Sequence, residues 1–455
     1  MTALSKASFA RQLSRLLPKL TKQSTLYLAY SGGVDSAVLL NLTAQYAQHN
    51  GLQLKALHVN HGVSTHALKW QSFCEQQCTQ WKIECLVKVL DLSIVKANFE
   101  QVARDERYTF FAQHLQLGDV LLTAHHQSDQ IETVLMRLFR GSGVRGLVGI
   151  VPVKHFKEAQ LVRPFLDVGK QNLVDYATNN QIDWVEDESN QAPQFDRNLL
   201  RHSVMPALRA AFPESEAGIM AAANKAQVAQ VLLDELGEMD ISHCKDEGQF
   251  GWFDLAVPLG WSKLRELSDQ RVYNVIDVWM QSHVHYALPR SRLLTWVEQL
   301  RAVSNESQPS LEHEGGRLQY AYGYLHFLKE LPPAQAESIY WNILEPLCLP
   351  ELGLELTSEL TVMASGVSNV IQLEHDEVEV SWRKGGERIR QVGRDHSQSF
   401  KKCLQENAVP HWEREHLPIL KIADNIVWTA ALGALDYSLL TKNGKLINFA
   451  LRKLN

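Results

Sequence analysis

The chain has 455 residues, 45% apolar and 21% charged, with 45 Lys and Arg against 51 Asp and Glu and a net charge of −6. This length exceeds what one hydrophobic core fills, so about two to four domains are expected. The acidic balance excludes a generally basic nucleic-acid coat and leaves room only for a local basic face. No apolar run approaches the ~20 residues of a membrane span, so no membrane partner is expected. Six cysteines occur, at Cys74, Cys78, Cys85, Cys244, Cys348 and Cys403, and none forms Cys-x-x-Cys. With no secretory signal, free thiols in a reducing cytoplasm are expected, and Cys74 and Cys78 are expected to be buried thiols.

The segment before Leu20 has the pattern of an amphipathic helix. Short apolar strands are then expected at Leu26–Tyr30, Leu54–Val59, Glu84–Val89 and Val120–Ala124. They alternate with helices at Ser36–Gln48, Ala67–Trp81, Glu100–Leu115 and Asp129–Phe139. Strands apolar on both faces and alternating with helices indicate an α/β domain built on a parallel sheet. Ligands bind such sheets beyond the carboxyl ends of the strands. The clusters Ser31–Ser36, His58–Gly62 and His125–Asp129 all fall there and are expected to converge. A helix near Lys170–Thr178 and a polar turn at Glu186–Asn190 follow. A long helix is expected at Ala221–Met239 and two more between residues 263 and 302, so the middle of the chain reads as mostly helical. Leu331-Pro332-Pro333-Ala334 has the composition of a linker. Short β runs at Leu352–Leu356, Val378–Trp382 and Ile426–Trp428 indicate a small α+β domain beyond it.

Ser31-Gly32-Gly33-Val34-Asp35-Ser36 joins a strand to a helix. This order gathers backbone N–H groups at the positive end of a helix dipole, an anion site suited to phosphate. Glycines allow close approach of the ligand. Asp35 repels a phosphate unless a metal ion stands between them, so a nucleotide with Mg²⁺ is expected. The plain alternative is a Gly-Gly turn with Ser31 or Ser36 as helix cap. His125-His126-Gln127-Ser128-Asp129-Gln130-Ile131-Glu132 opens a helix, with Asp129 and Glu132 in its first turn. The spacing also fits a capping box with Asp129 as cap. The two histidines and Asp129 exceed what a cap needs, and Asp129 is a candidate base or metal ligand. Arg104 and Arg107 share a helix face, and either can contact phosphate or substrate. Arg140-Gly141-Ser142-Gly143-Val144-Arg145-Gly146 reads as a flexible basic loop suited to phosphates. Glu186 with its acidic neighbours, and Arg197 with Arg201 at i, i+4, form a second polar block. A carboxylate cluster there can hold a cationic amine.

The hexapeptide resembles the PP-loop of ATP pyrophosphatases, which cut ATP between the α and β phosphates and activate an oxygen as an adenylate. The later blocks narrow the resemblance. Asn60-His61-Gly62, Ala124-His125-His126 with Asp129-Gln130 and Glu132-Thr133, Arg140-Gly141-Ser142-Gly143, Arg163-Pro164 and Glu186-Asp187 are similar in order and spacing to the tRNA(Ile)-lysidine synthetase family. So are Ser189-Asn190 with Arg197-Asn198 and Arg201, and the tail blocks Arg383–Arg388, Lys401-Lys402 and Val409-Pro410 with Trp412 and Arg414. Many members have His-His-Gly where this chain has Asn60-His61-Gly62, and Asp-Asp where it has Ser128-Asp129, so the acid role is placed on Asp129.

The resemblance implies a PP-loop catalytic domain of the adenine nucleotide alpha hydrolase-like kind at 1–215. A helical tRNA-binding domain at 216–332 and a tRNA-binding α+β domain at 333–455 would follow. It implies ATP and Mg²⁺ as cofactors, and L-lysine and the CAU-anticodon isoleucine tRNA as partners. Oligomeric state is left open, a homodimer being one candidate. Ser31, Gly32, Gly33, Val34, Asp35 and Ser36 would bind ATP, and Asp35 and Asp129 the metal. Asp35, His125, Asp129, Arg104 and Arg107 would act in catalysis. Glu132, Arg140, Glu186, Arg197 and Arg201 would meet substrate, as would Arg388 and Arg394 in the basic stretch 383–402. A tRNA thiolase is the alternative within the superfamily, but an Fe–S thiolase needs paired cysteines near the site.

Overall fold

The computed structural model describes residues 4–454 except 18–19, 22–23, 61, 63–65, 91–98, 187–195, 247–250, 282–289, 303–307, 314–315, 336, 362–369, 374–375, 392–395, 423–424 and 436–444. The chain divides into two units, residues 1–232 and 233–455.

In the first unit, α1 (Lys6–Leu16) is capped by Ser5, whose hydroxyl accepts the Ser8 N–H, and it buries Phe9 and Leu13. Then β1 (Thr25–Ala29), α2 (Val34–Asn50), β2 (Gln53–Asn60), α3 (Ala67–Gln80), β3 (Glu84–Val89), α4 (Phe99–His114), β4 (Val120–Leu122) and α5 (Gln127–Phe139) alternate as expected. They are followed by α6 (Val144–Leu147), the hairpin β5 (Val153–Phe156) and β6 (Ala159–Val162), and α7 (Lys170–Asn179). The sheet order is β3-β2-β1-β4-β6-β5, parallel except for the edge hairpin β5–β6. Residues of β1 alternate between two cores. Leu26 and Leu28 pack with α1, α2 and α7, while Tyr27 packs with Phe110, Phe111 and Leu115 on and after α4. Burial on both faces is why the strands read as continuous apolar runs. Cys74 and Cys78 are free, buried thiols of the first core.

This strand order fixes where the site lies. From β1 the chain steps to β2 and β3, then returns across β1 to β4. Connections therefore leave β1 and β4 in opposite directions, and the carboxyl ends of these two strands flank the crevice where such sheets bind ligands. The unit continues as α8 (Asp196–Leu199), a π-helical turn Leu200–Val204, α9 (Met205–Ala211) and the start of α10 (Ser215–Cys244).

In the second unit the expected helices are present at Asp269–Gln281 and Arg290–Arg301. The structure adds a four-stranded antiparallel sheet from Leu259–Gly260, Ser310–His313, Gly316–Ala321 and Tyr324–Leu328. Its last hairpin turns on Tyr322 and Gly323, with φ of +50° and +85°, the conformation of a two-residue type I′ turn. Beyond residue 338 the chain forms five- and four-stranded antiparallel sheets around Trp341, Trp382, Trp412, Trp428 and Phe449. Two short helices, Phe400–Glu406 and His411–Arg414, accompany them. No helix among the described residues is long and apolar enough to cross a membrane.

Glu413 is buried here and accepts the Trp252 N–H at 2.7 Å. Burial pushes its carboxyl up to about 7 against that bond, and Asp254 adds to the shift. A carboxyl raised on folding takes up a proton between pH 4.5 and 7 that the unfolded chain lacks. Its contribution to stability therefore falls as pH rises through this window, by about 1.4 kcal/mol per pH unit. Glu413→Gln keeps an acceptor for Trp252 and removes the titration. Its melting temperature should exceed wild type at pH 8 and match it near pH 4.5. Equal melting at both values would show that Glu413 is not protonated in the fold.

Candidate active site

The Ser31–Ser36 turn folds as an open N-terminus rather than a capped one. Gly33 occupies the cap position of α2 with no side-chain bond. Ser36 instead donates to the Gly33 carbonyl at 2.9 Å, and its hydroxyl lies 3.1 Å from that of Ser31. Neither serine caps the helix, so the first N–H groups of α2 remain directed at an incoming anion. Gly32 has φ +85°, and a Cβ there would stand 2.9 Å from both Cys74 Sγ and Val185 Cγ2. Only glycine satisfies both constraints. The Gly32 carbonyl accepts the Val185 N–H at 3.0 Å, which brings the segment preceding Glu186 against the loop.

At the end of β4 a capping box does form, three residues upstream of the one that the Asp129–Glu132 spacing also fits. The cap is His126, whose Nδ1 accepts the Ser128 N–H at 3.2 Å, while the Asp129 carboxylate accepts the His126 N–H at 2.9 Å. Because Nδ1 accepts, the ring presents an N–H at Nε2. That atom lies 3.7 Å from Asp35 and 3.6 Å from Asp129, so it links the ends of β1 and β4. His125 Nδ1 is 2.9 Å from the Thr123 hydroxyl. Burial, with the guanidiniums of Arg163, Arg197 and Arg107 and against Asp129, lowers His125 to about 4. It is neutral at physiological pH. Burial raises the Asp129 carboxyl, but His126, Arg197 and the His126 N–H outweigh it and hold the group below the usual range.

The other Asp129 oxygen accepts Arg197 Nη2 at 2.7 Å. Arg197 Nε and Arg201 Nε close on the two oxygens of Glu132 at 2.6 and 2.7 Å. The helix-to-π transition after Leu199 places Arg201 in a widened turn, a form frequent at functional sites. Asp35 is held by Lys170, which carried no sequence signal. Its ammonium lies 2.7 Å from each carboxylate oxygen. Asp35, His126, Asp129, Glu132, Arg197, Arg201 and Lys170 thus form one charged network across the crevice. Asp35 and Asp129 both place carboxylate oxygen within 4 Å of His126 Nε2. The Asp35 carboxylate already binds a cation, the Lys170 ammonium, on both oxygens, and this donor set fits a hard, oxygen-seeking ion.

The remaining candidates divide. Arg107 is partly buried on α4, its Nε has no hydrogen-bond partner, and it acts on His125. Arg104 is exposed, and both guanidiniums lie over the Tyr108 ring at 5.1 and 5.6 Å. Arg163, part of the Arg-Pro block of the family pattern, joins them. It is buried, with Nη1 on the Val151 carbonyl at 2.6 Å and Nε without a partner. The end of β2 serves the scaffold. His58 is buried against the Tyr30 carbonyl at 2.9 Å, and Asn60 binds the Gly62 N–H and Gln71. His61 lies outside the described residues. The expected flexible loop after Arg140 has a defined backbone, because Gly141 ends α5 at φ +70° and Gly143 starts α6. Arg137 pins α6 and its exit through the carbonyls of Gly146 and Gly149, and Arg140 stays exposed. Glu186 is exposed, and residues 187–195 lie outside the described set. Of the tail candidates, Arg388 is exposed with Nε on the Ser397 hydroxyl at 3.1 Å, while Arg394 lies outside the described residues.

Ser128 contributes its backbone N–H to the cap, which Ala retains. Ser128→Ala should therefore keep most activity, while Asp129→Ala loses about 100-fold or more along with the capping box. Steady-state AMP formation by the two variants checks the ranking, and the reverse order would move the acid role to position 128.

The sheet order and the uncapped glycine turn define a PP-loop protein. The PP-loop domain family matches residues 5–208, and the family described as the TilS substrate C-terminal domain matches residues 378–449. PP-loop membership implies ATP use. A tRNA(Ile)-lysidine synthase of Coxiella burnetii is 33% identical over 423 residues, 91% of this chain and 90% of that protein. One of Pseudomonas aeruginosa is 36% identical, covering 90% of each chain, and one of Alkalilimnicola ehrlichii is 34% identical, covering 94% of each. The chain belongs to the tRNA(Ile)-lysidine synthase family.

Proposed function

We propose that this protein ligates L-lysine to C2 of the wobble cytidine of the isoleucine tRNA with a CAU anticodon. ATP adenylates the C2 oxygen and pyrophosphate leaves. The ε-amine of lysine then attacks C2, loses a proton, and AMP leaves with the oxygen. The product is lysidine, and decoding changes from AUG to AUA. The observation that carries this reading is the linkage of Asp35 on the PP-loop to His126 and Asp129 at the start of α5, in a chain that aligns with its relatives over about nine-tenths of its length.

The backbone of Ser31, Gly32, Gly33, Val34 and Ser36 would cradle the phosphates, as an uncapped helix N-terminus does. Asp35 and Asp129 would hold Mg²⁺, which neutralises charge on the phosphate chain when bound. His125 and Asp129 would line the adenylation centre, and Arg107 and Arg163 would place positive charge beside it. Positioning is the main requirement of in-line transfer, and the Glu132–Arg197–Arg201 cluster would supply it by fixing Asp129. Residues 1–215 would form the catalytic domain, with 216–332 and 333–455 binding tRNA. The thiolase alternative draws no support from Cys74 and Cys78, which are fully buried.

Labelled pyrophosphate should exchange into ATP without lysine, and only when the CAU-anticodon isoleucine tRNA is present. Exchange without RNA, or none with it, would contradict an adenylated tRNA. Replacing Arg388, Arg390 and Arg394 together by Ala should weaken tRNA binding and flatten its salt dependence, with ATP binding unchanged. An unaltered salt slope would place the grip on the tRNA elsewhere.

A further inference from the structure

Lys170 opens α7 and reaches 135 residues back along the chain to Asp35, with Nζ 2.7 Å from both carboxylate oxygens. Stability alone accounts poorly for this pair. The Lys170 side chain is 43% exposed, and ion pairs open to solvent contribute little. It also stands in the first turn of a helix, where the dipole disfavours a cation, and α7 has neither an acid in that turn nor a side-chain cap. The position of the ammonium is more informative. It occupies the acid in the first turn of α2, beside the uncapped N–H groups of the loop. Around it the acids Asp35, Asp129 and Glu132 face Lys170, Arg197 and Arg201. The network is balanced, so a polyphosphate needs positive charge released from within it or brought with it.

We propose that Lys170 is a pyrophosphate-binding residue that changes partners. A divalent cation takes the Asp35 carboxylate, and the ammonium turns from Asp35 onto the β- and γ-phosphates at the N-terminus of α2. Lysine suits this role, since it is a point charge on a flexible four-carbon stem, whereas arginine's planar fork would lock onto the carboxylate. The exchange couples the two ligands. A cation alone must displace Lys170, a nucleotide alone meets Asp35, and each eases the binding of the other. This inference rests on the reading of the crevice as an ATP site.

The test titrates the full-length protein, wild type and Lys170→Gln, by calorimetry with three probes. These are Mn²⁺ alone, an ATP analogue with a methylene bridge between the α and β phosphates in the presence of Mn²⁺, and AMP. Lys170→Gln should bind Mn²⁺ alone at least threefold tighter, because the competing ammonium is gone. It should bind the analogue at least tenfold weaker and AMP within twofold of wild type, because AMP lacks the phosphates that Lys170 would hold. Unchanged analogue affinity, equal losses for the analogue and AMP, or weaker Mn²⁺ binding would each overturn the proposal. If Lys170→Gln does not fold, Lys170→Arg takes its place, with at least a threefold loss for the analogue expected and no loss overturning the proposal. Failure of the wild type to bind the analogue would count against the ATP site itself, whereas wild-type binding with an unaffected variant counts against Lys170 only.

Discussion

Asp35→Asn should reduce AMP formation by a factor on the order of 10³ or more and leave the fold close to wild type. The carboxylate occupies the second position of α2 and is 26% exposed. Its stabilising contacts are the helix dipole and the Lys170 ammonium, together about 1 kcal/mol. Nothing apolar depends on it. Asn has the same size, so packing is unchanged, but it supplies no charge to hold a cation beside the phosphates. A melting temperature within a few degrees of wild type, combined with loss of tRNA-dependent AMP formation, is the expected pair of results. Normal AMP formation would remove the metal role from Asp35.

Glu132→Ala should damage both stability and activity. The side chain is 3% exposed and accepts Arg197 Nε at 2.6 Å and Arg201 Nε and Nη2 at 2.7 and 2.9 Å. Without it, two guanidiniums face each other with only Asp129 between them. Breaking a buried pair costs about 3–5 kcal/mol, and since both arginines remain over a third exposed, a loss of about 2–3 kcal/mol is expected. Activity should fall about 100-fold, because Arg197 also fixes Asp129. Denaturant titration and steady-state kinetics measure the two effects. A variant that melts like wild type and only raises KM for lysine would show that Glu132 captures the substrate amine rather than anchoring the arginines.

The parallel sheet was legible because both of its faces are buried, which makes each strand a short apolar run. The phosphate loop was legible because Gly32 needs a positive φ and a close approach to Cys74 and Val185, demands that the sequence expresses directly as glycine. The cap of α5 differs from the one the spacing also fits, for a local reason. Asp129 and Glu132 fit the usual capping-box spacing, but His126, a less common cap, stays extended at φ −126° as the chain leaves β4 and moves the box three residues upstream. The pairing of Arg197 with Arg201 on one face could be read from their spacing. Their convergence on Glu132 could not, because it depends on tertiary packing and on a π-helical turn without a sequence signature. Lys170 was invisible for the same reason, since its partner is remote in sequence and a lysine opening a helix resembles an ordinary solvated charge. The sheet between residues 259 and 328 has strands of two to six residues, too short for an alternating pattern to stand out beside neighbouring helices.

The central claim is the transfer of lysine to a wobble cytidine. Its most direct measurement incubates the protein with ATP, labelled lysine and total tRNA, then digests the RNA and identifies the labelled nucleoside. Label in a single nucleoside with the mass of cytidine plus lysine less one water, found only in the isoleucine tRNA with a CAU anticodon and lost without ATP, is the result predicted. Label in ester linkage at the tRNA 3′ end, in another nucleoside, or in no RNA at all would contradict it.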